Sequence, residues 1–225
     1  MASIIFQEQL EVPGGIDSLA EFRRWATSDR FPERGRIDYV SGYIEVDMQP
    51  MPLYSHGGVR VEVAMVLAEL VKQGGMGECY FGRTRFSSVP ADLSAEPDVI
   101  FLSHDSIDSG RVQFVEKAGR TDDVIEIEGG PDLVFEIVSN SSVNNDTKRL
   151  PAAYFSAGVR EFWLIDARGD DLIFHIHRRG SSAFEPVDVE NNDYQKSEVF
   201  ARRFRLTRKR NRRGRWAYEL QSTEQ

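Results

Sequence analysis

Apolar and polar positions alternate with a period of two from Ile37 to Met48 (IDYVSGYIEVDM), and Ser41-Gly42 interrupts the alternation at its middle. That pattern predicts two half-buried strands joined by a tight hairpin. Pro50 and Pro52 then stop it. From Ser55, whose hydroxyl suits a helix start, Val59, Val63, Val66, Leu67, Leu70 and Val71 recur at helical spacing until Gly74-Gly75. Strand-like runs follow at 78–86 (ECYFGRTRF), 98–102 (DVIFL) and 132–138 (DLVFEIV). After a Ser-rich loop a short helix is expected, capped by Asp146 or Thr147, with Pro151 in or near its first turn and Gly158 just past its end. Runs at 161–166, 171–177 and 183–189 read as strands, and a last hairpin spans 198–220 with its turn around Asn211 to Gly214. Strands, then a helix crossing to another buried strand, indicate an α/β fold with a mixed sheet flanked by helices.

Length and composition narrow this picture. The 225 residues contain no repeat and no linker between two cores, so 1–225 reads as a single domain. Within it, 15–190 reads as the core and 195–225 as a basic β extension. No apolar run reaches the ~18 to 20 residues that span a bilayer, and the N-terminus lacks a basic region followed by an apolar core. The single cysteine, Cys79, excludes an internal disulfide and any cysteine-based zinc site. A cytoplasmic protein with no membrane attachment is the expectation.

Charge is unevenly spread. The net charge is −8, yet residues 201–215 (ARRFRLTRKRNRRGR) hold nine Arg or Lys and no acid. A basic strip is the electrostatic footprint that phosphates attract. A solvated edge that compensates an acidic body accounts for it equally well.

Two carboxylates stand out chemically. Asp98 opens an apolar strand directly after Pro97, and Glu136 lies among Val134, Phe135, Ile137 and Val138. A carboxylate among buried apolar neighbours is costly unless it is paired or bound to a cation. Two such groups on neighbouring strands suit Mg²⁺, which takes hard oxygen ligands and keeps several waters. Such an ion activates water and stabilises charge on a phosphodiester, and a nearby Lys adds positive charge or takes the proton. Lys148 is the nearest basic side chain beyond the loop. By spacing alone, an Asp at a strand start is also an ordinary turn residue, and a Glu in a strand also fits an outward-facing edge.

The combination of Pro97-Asp98, Glu136 to Val138, the Ser-rich loop, Asp146, Tyr154, Ala157-Gly158-Val159 and Glu161 to Asp166 resembles the Uma-two family of putative restriction endonucleases. This is a bacterial group in the PD-(D/E)XK nuclease superfamily. Asp38, Gly42, Met48, Pro52 and His56 extend the resemblance, which covers roughly residues 15 to 190. It implies a restriction-endonuclease-like fold with extra C-terminal strands and an endonuclease that hydrolyses DNA with Mg²⁺ or Mn²⁺. It also implies Asp98 and Glu136 as metal ligands. The superfamily's Lys lies two residues after the second acid, where this chain has Val138; the resemblance moves it onto the following helix, where Lys148 takes the catalytic role. A homodimer is compatible with cutting both strands. The alternative is a degenerate nuclease-fold module that binds nucleic acid or a partner protein.

Other residues carry two readings each. Glu62 on the first helix is either the superfamily's accessory acid or part of a solvated face with Glu69. His56 at the helix start contacts substrate phosphate or makes a local hydrogen bond. Arg83 and Arg85 share a strand face in the run 78–86 and would meet a phosphate backbone. Asp146 reads as an N-cap, and Tyr154 and Trp163 as packing residues. His175 and His177 share a face, but no third ligand makes a zinc site there.

Overall fold

A computed structural model describes residues 12–224. Helix α1 (Leu19–Ala26) starts at Ser18, whose side chain accepts from the Glu21 N–H, and buries Leu19, Phe22 and Trp25. Strands β1 (Arg36–Val40) and β2 (Tyr43–Asp47) form the expected hairpin. Its two turn residues, Ser41 and Gly42, both adopt positive φ (49° and 81°), as the tight mirror-type turn requires.

Helix α2 (Gly58–Gly74) is preceded by one wider turn, Leu53–Gly57, in which the Gly57 N–H reaches back five residues to the Pro52 carbonyl at 3.0 Å. The helical segment thus begins before Ser55, which does not cap it. The run 78–86 is two strands rather than one. β3 (Gly77–Phe81) and β4 (Arg85–Ser88) are divided at Gly82 and Arg83, with φ of 64° and 53°, and they enter different sheets.

There follow β5 (Leu93–Ala95), β6 (Val99–Ser103), the short α3 (His104–Asp108), β7 (Val112–Glu116), β8 (Val124–Gly129) and β9 (Leu133–Ile137). A second wide turn, Asn145–Arg149, leads into α4 (Leu150–Ser156). The chain ends with β10 (Glu161–Asp166), β11 (Ile173–Arg179), β12 (Phe184–Pro186), β13 (Gln195–Ser197), β14 (Arg202–Arg210) and β15 (Trp216–Glu224).

One six-stranded sheet has the order β2-β1-β5-β4-β8-β7, a second β12-β11-β10-β9-β6-β3, and a third, three-stranded, β13-β14-β15. Parallel pairs β4–β8 and β9–β10 among antiparallel neighbours make both large sheets mixed. The second sheet is central and buried on both faces. On one face Val99, Phe135, Trp163 and Ile165 pack against Val59, Val63 and Leu67 of α2 and against Phe204 and Leu220 of the third sheet. On the other, Ile100, Val134 and Phe162 pack against Leu150 and Tyr154 of α4 and against Phe86 and Leu93 of the first sheet. Each large side chain so buried contributes roughly 1.5–3 kcal/mol. A groove is left where the first sheet, the start of α2 and the ends of β6 and β9 converge.

Candidate active site

The register that pairs Val99 with Phe135 and Ile100 with Val134 sets Asp98 opposite Glu136 one step further along β6 and β9. Directly opposed residues of an antiparallel pair project to the same face. Both acids are buried, Asp98 at 3 % and Glu136 at 0 % exposure. Asp98 Oδ2 accepts the Ile137 N–H at 2.8 Å, which ties the first acid to the strand of the second.

Cations from outside the central sheet meet these acids. Arg60, from the first turn of α2, pairs with Asp98 Oδ1, and His56 Nε2 lies 3.3 Å from Oδ2. Arg36 enters from the head of β1. Its Nη1 and Nη2 donate to Glu136 at 3.4 and 3.3 Å, its Nε donates to Asp38 at 2.7 Å, and its Nη1 stands 3.9 Å from Asp146. The Tyr154 hydroxyl donates to Glu136 Oε1 at 2.5 Å. Asp146 accepts from the Ser142 hydroxyl, and its other oxygen is buried with no hydrogen-bond partner. Asp146 is therefore a buried acid of the Arg36 cluster, not the N-cap of α4.

Protonation follows from these contacts. Burial works against ionising Asp98, but the His56 hydrogen bond and charge, with Arg60 and Arg36, outweigh it and hold the carboxyl down at about 2. At Glu136 burial dominates. Arg36 opposes it, but the charges of Asp146 and Asp98 add to it, and the carboxyl rises well above the usual range. Burial likewise pushes Asp146 up to about 6, against Arg36 and Ser142. Burial would lower the Arg36 guanidinium, yet Asp38 and Glu136 raise it well above its ordinary value. Two neighbouring acids with opposite shifts and a shared arginine make this a functional-site candidate on physical grounds.

The cleft is a cavity of about 420 Å³ lined by Arg36, His56, Arg60, Arg83, Glu96, Asp98 and the loop Ser139–Ser142, among others. Of the residues singled out by sequence, it collects Asp98, His56 and Arg83; Glu136 is fully buried and does not line it, although its neighbour Ile137 does. The others lie elsewhere. Arg85 is buried on β4, pairs with Glu96 at 2.5 Å and donates to the Ile37 carbonyl at 2.9 Å, so it does not share an exposed face with Arg83. Glu62 accepts the Leu220 N–H of β15 at 2.9 Å, away from the cleft. Lys148 lines a separate cavity with Pro151, Phe155, Phe162 and His177. Sequence reasoning passes over Arg36, Arg60 and Asp38 as site residues, and gives Tyr154 a packing role alone. The Arg36-x-Asp38 spacing, which sets both side chains on one strand face, is the available signal.

Among the described residues no group of three or more His, Cys, Asp or Glu is arranged to hold a metal ion. A two-acid donor set nonetheless suits Mg²⁺, which is commonly held by one or two carboxylates plus substrate phosphate oxygens. The Asp146 oxygen that accepts no hydrogen bond, 3.9 Å from Arg36 Nη1, is a further hard donor among these acids. A cation there would compete with Arg60 for Asp98.

The family model for putative restriction endonucleases matches residues 19–209. The chain belongs to the Uma2 family. Among solved structures, a putative nuclease from Anabaena variabilis superposes on this Uma2 chain with a TM-score of 0.60 at 21 % identity, over 82 % of this chain and 90 % of that one. That likeness shows the shared fold. No curated protein matches. Among the described residues of this Uma2 protein no helix is long and apolar enough to cross a membrane.

Proposed function

We propose that this protein is a divalent-metal-dependent endonuclease that hydrolyses DNA phosphodiester bonds in the cleft over Asp98 and Glu136. The observation that carries this reading is a pair of buried acids at adjoining ends of β6 and β9, Asp98 lining a cleft edged with arginine and bonded to the Ile137 N–H beside Glu136. Asp98 and Glu136 would hold Mg²⁺ or Mn²⁺. When bound, such an ion lowers the pKa of a coordinated water and neutralises charge on the phosphoryl oxygens.

The chain's own residues supply the rest. Arg83, on the cleft wall, meets the incoming phosphate as a fork donor. Arg60 adds fixed positive charge where the transition state accumulates negative charge. An arginine cannot take the proton of the attacking water. His56 Nε2 lies 3.3 Å from Asp98 Oδ2, and that contact holds the imidazole at the cleft rim. The positive charge expected of Lys148 is thus supplied at the cleft by arginine, and Lys148 serves only if its side chain leaves its own cavity.

The test is nicking of supercoiled plasmid. Cleavage is expected with Mg²⁺ or Mn²⁺, none in EDTA, and a loss of at least ~100-fold in Asp98→Ala and in Glu136→Gln, since even outer-shell changes cost up to that much. No nicking under any metal, or nicking untouched by both substitutions, refutes the enzyme. A second reading, a nuclease-fold module that binds without cutting, is favoured by the arginines that already neutralise both acids. It expects nucleic-acid binding with no nicking at all.

A further inference from the structure

The nine basic residues of 202–215 fall into two groups. The first is engaged within the fold. Arg202 faces Glu224 at 3.8 Å and Arg203 faces Glu190 at 2.7 Å. Arg205 donates to Gln221 at 3.1 and 2.5 Å. Arg208 donates to the carbonyls of Ala167, Gly169 and Asp170 at 3.4, 3.0 and 2.5 Å. The second group is Lys209, Arg210, Arg212, Arg213 and Arg215, all exposed at the tip of the β14–β15 hairpin. None of these five forms an ion pair with an acid among the described residues. In an otherwise acidic chain they are an uncompensated positive cluster.

The fold carries this tip to the end of the central sheet at which the cleft opens. β15 lies along α2: Leu220 bonds Glu62, Tyr218 shares a core with Val59, and Arg215 stacks 5.3 Å from the Tyr54 ring. Followed toward the tip, the strand therefore runs to the end of α2 that carries His56 and Arg60. Arg208 clamps the segment just after β10. Because β9 and β10 are parallel, that segment leaves the central sheet at the same end as Ile137 and Ser139–Ser142, which line the cleft. Two independent contacts thus hold the hairpin at the same end of the central sheet as the cleft.

The tip is also pre-shaped. The Trp216 ring lies between Arg208 at 4.2 Å and Arg210 at 3.6 Å, which orders the guanidinium planes with little further loss of freedom on binding. A guanidinium fork matches phosphate oxygens bidentately. One strand of duplex DNA offers a phosphate about every 3.4 Å of helix rise, so a cluster of five cations within one hairpin turn can meet several at once. Arg83 and Arg60 continue the positive track inside the cleft.

We propose that the hairpin tip Lys209–Arg215 is an electrostatic arm that grips the phosphodiester backbone of duplex DNA, independently of sequence, and guides it into the cleft. The guiding role rests on the nuclease reading; the grip itself requires no chemistry at Asp98.

The experiment is fluorescence anisotropy of a labelled duplex in EDTA, where no hydrolysis occurs, titrated at several salt concentrations. The wild-type chain is compared with Lys209→Gln/Arg212→Gln/Arg213→Gln and with Asp98→Ala. Two unrelated duplexes should bind alike. The triple variant should weaken binding at least tenfold, with a salt slope shallower by about 0.9 for each phosphate it no longer neutralises. Asp98→Ala should still bind, and adding the triple substitution to it should weaken that binding by the same factor as in the wild-type chain. The three substituted side chains make no ion pair among the described residues, so an unchanged melting temperature certifies the variant. Equal binding and equal slope in wild type and triple variant overturn the arm. So does a wild-type chain that binds polyglutamate as tightly as DNA, which would mark the tip as a site for an acidic protein segment. Intact arm-dependent binding without nicking sinks the nuclease reading alone, and nicking without arm dependence sinks the arm alone.

Discussion

Replacing Arg36 with Met should destabilise the fold in a pH-dependent way. Arg36 is shared by Asp38 at 2.7 Å, Glu136 at 3.3 Å and Asp146 at 3.9 Å, three acids of which each is nearly inaccessible. Breaking a buried ion pair from one side costs about 3–5 kcal/mol, because the partner charge is left uncompensated. The arginine retains 24 % exposure, so water reaches part of the site and the lower end, about 3 kcal/mol, is expected at pH 8. For a chain of this length that is a fall in melting temperature of roughly 6–12 °C. Burial pushes the Asp146 carboxyl up to about 6, so at pH 5 it is largely protonated in the fold and needs the guanidinium less, and Glu136 is shifted in the same direction. The loss at pH 5 should then be no more than about half that at pH 8. Urea unfolding followed by circular dichroism at both pH values reads the difference. A loss under about 1 kcal/mol at pH 8, or the same loss at both, would show that Arg36 does not neutralise this cluster.

Asp146→Asn should flatten the pH dependence of stability between about 4 and 6. The folded carboxyl sits near 6 against an ordinary 3.8, so its stabilising proton is fully held below about 4 and lost as pH rises through 6. That is worth up to about 3 kcal/mol, and the variant should be the more stable protein at pH 7; an unchanged profile in urea denaturation refutes the assignment. Tyr154→Phe removes the donor to Glu136 and should cost about 1–3 kcal/mol by thermal melting, with no loss meaning that the buried acid finds another donor. Gly77→Ala should cost at least ~3 kcal/mol, since at φ 148° its Cβ would fall 1.9 Å from the Leu102 carbonyl oxygen; a melting temperature within about 2 °C of wild type contradicts the tight β3–β6 approach.

Local pattern carries much of the architecture. The β1–β2 hairpin is legible because alternation and a Ser-Gly turn agree, and β9, β10 and α2 because a continuous apolar run or a helical period has one structural solution in a buried place. The split of 78–86 is not legible. ECYFGRTRF has strand composition throughout, and only the positive φ at Gly82 and Arg83 sends its halves into different sheets. At the site, Asp98 and Glu136 stand out because acids in apolar strands are anomalous in their own neighbourhoods. Arg36 and Arg60 do not, because an arginine at a strand head or a helix start is locally unremarkable. Their importance arises from partners 100 and 38 positions away, a property of how the first sheet and α2 close on the central sheet. Asp146 reads as a cap for the same reason: the wide turn that points it inward leaves no mark on the apolar pattern.

The two wide turns, Leu53–Gly57 and Asn145–Arg149, make the orientation of the cleft a matter of chain length rather than of side-chain chemistry. Each holds one residue more than an ordinary helical turn, and each residue of helix is worth about 100° of rotation. Deleting a single residue from either turn would leave every acid and arginine in the sequence. It would nevertheless swing His56 away from Asp98, or Asp146 away from Arg36. The chain could therefore lose its site by a one-residue deletion without losing its core, and relatives that differ in length at these two turns will differ in what their clefts present.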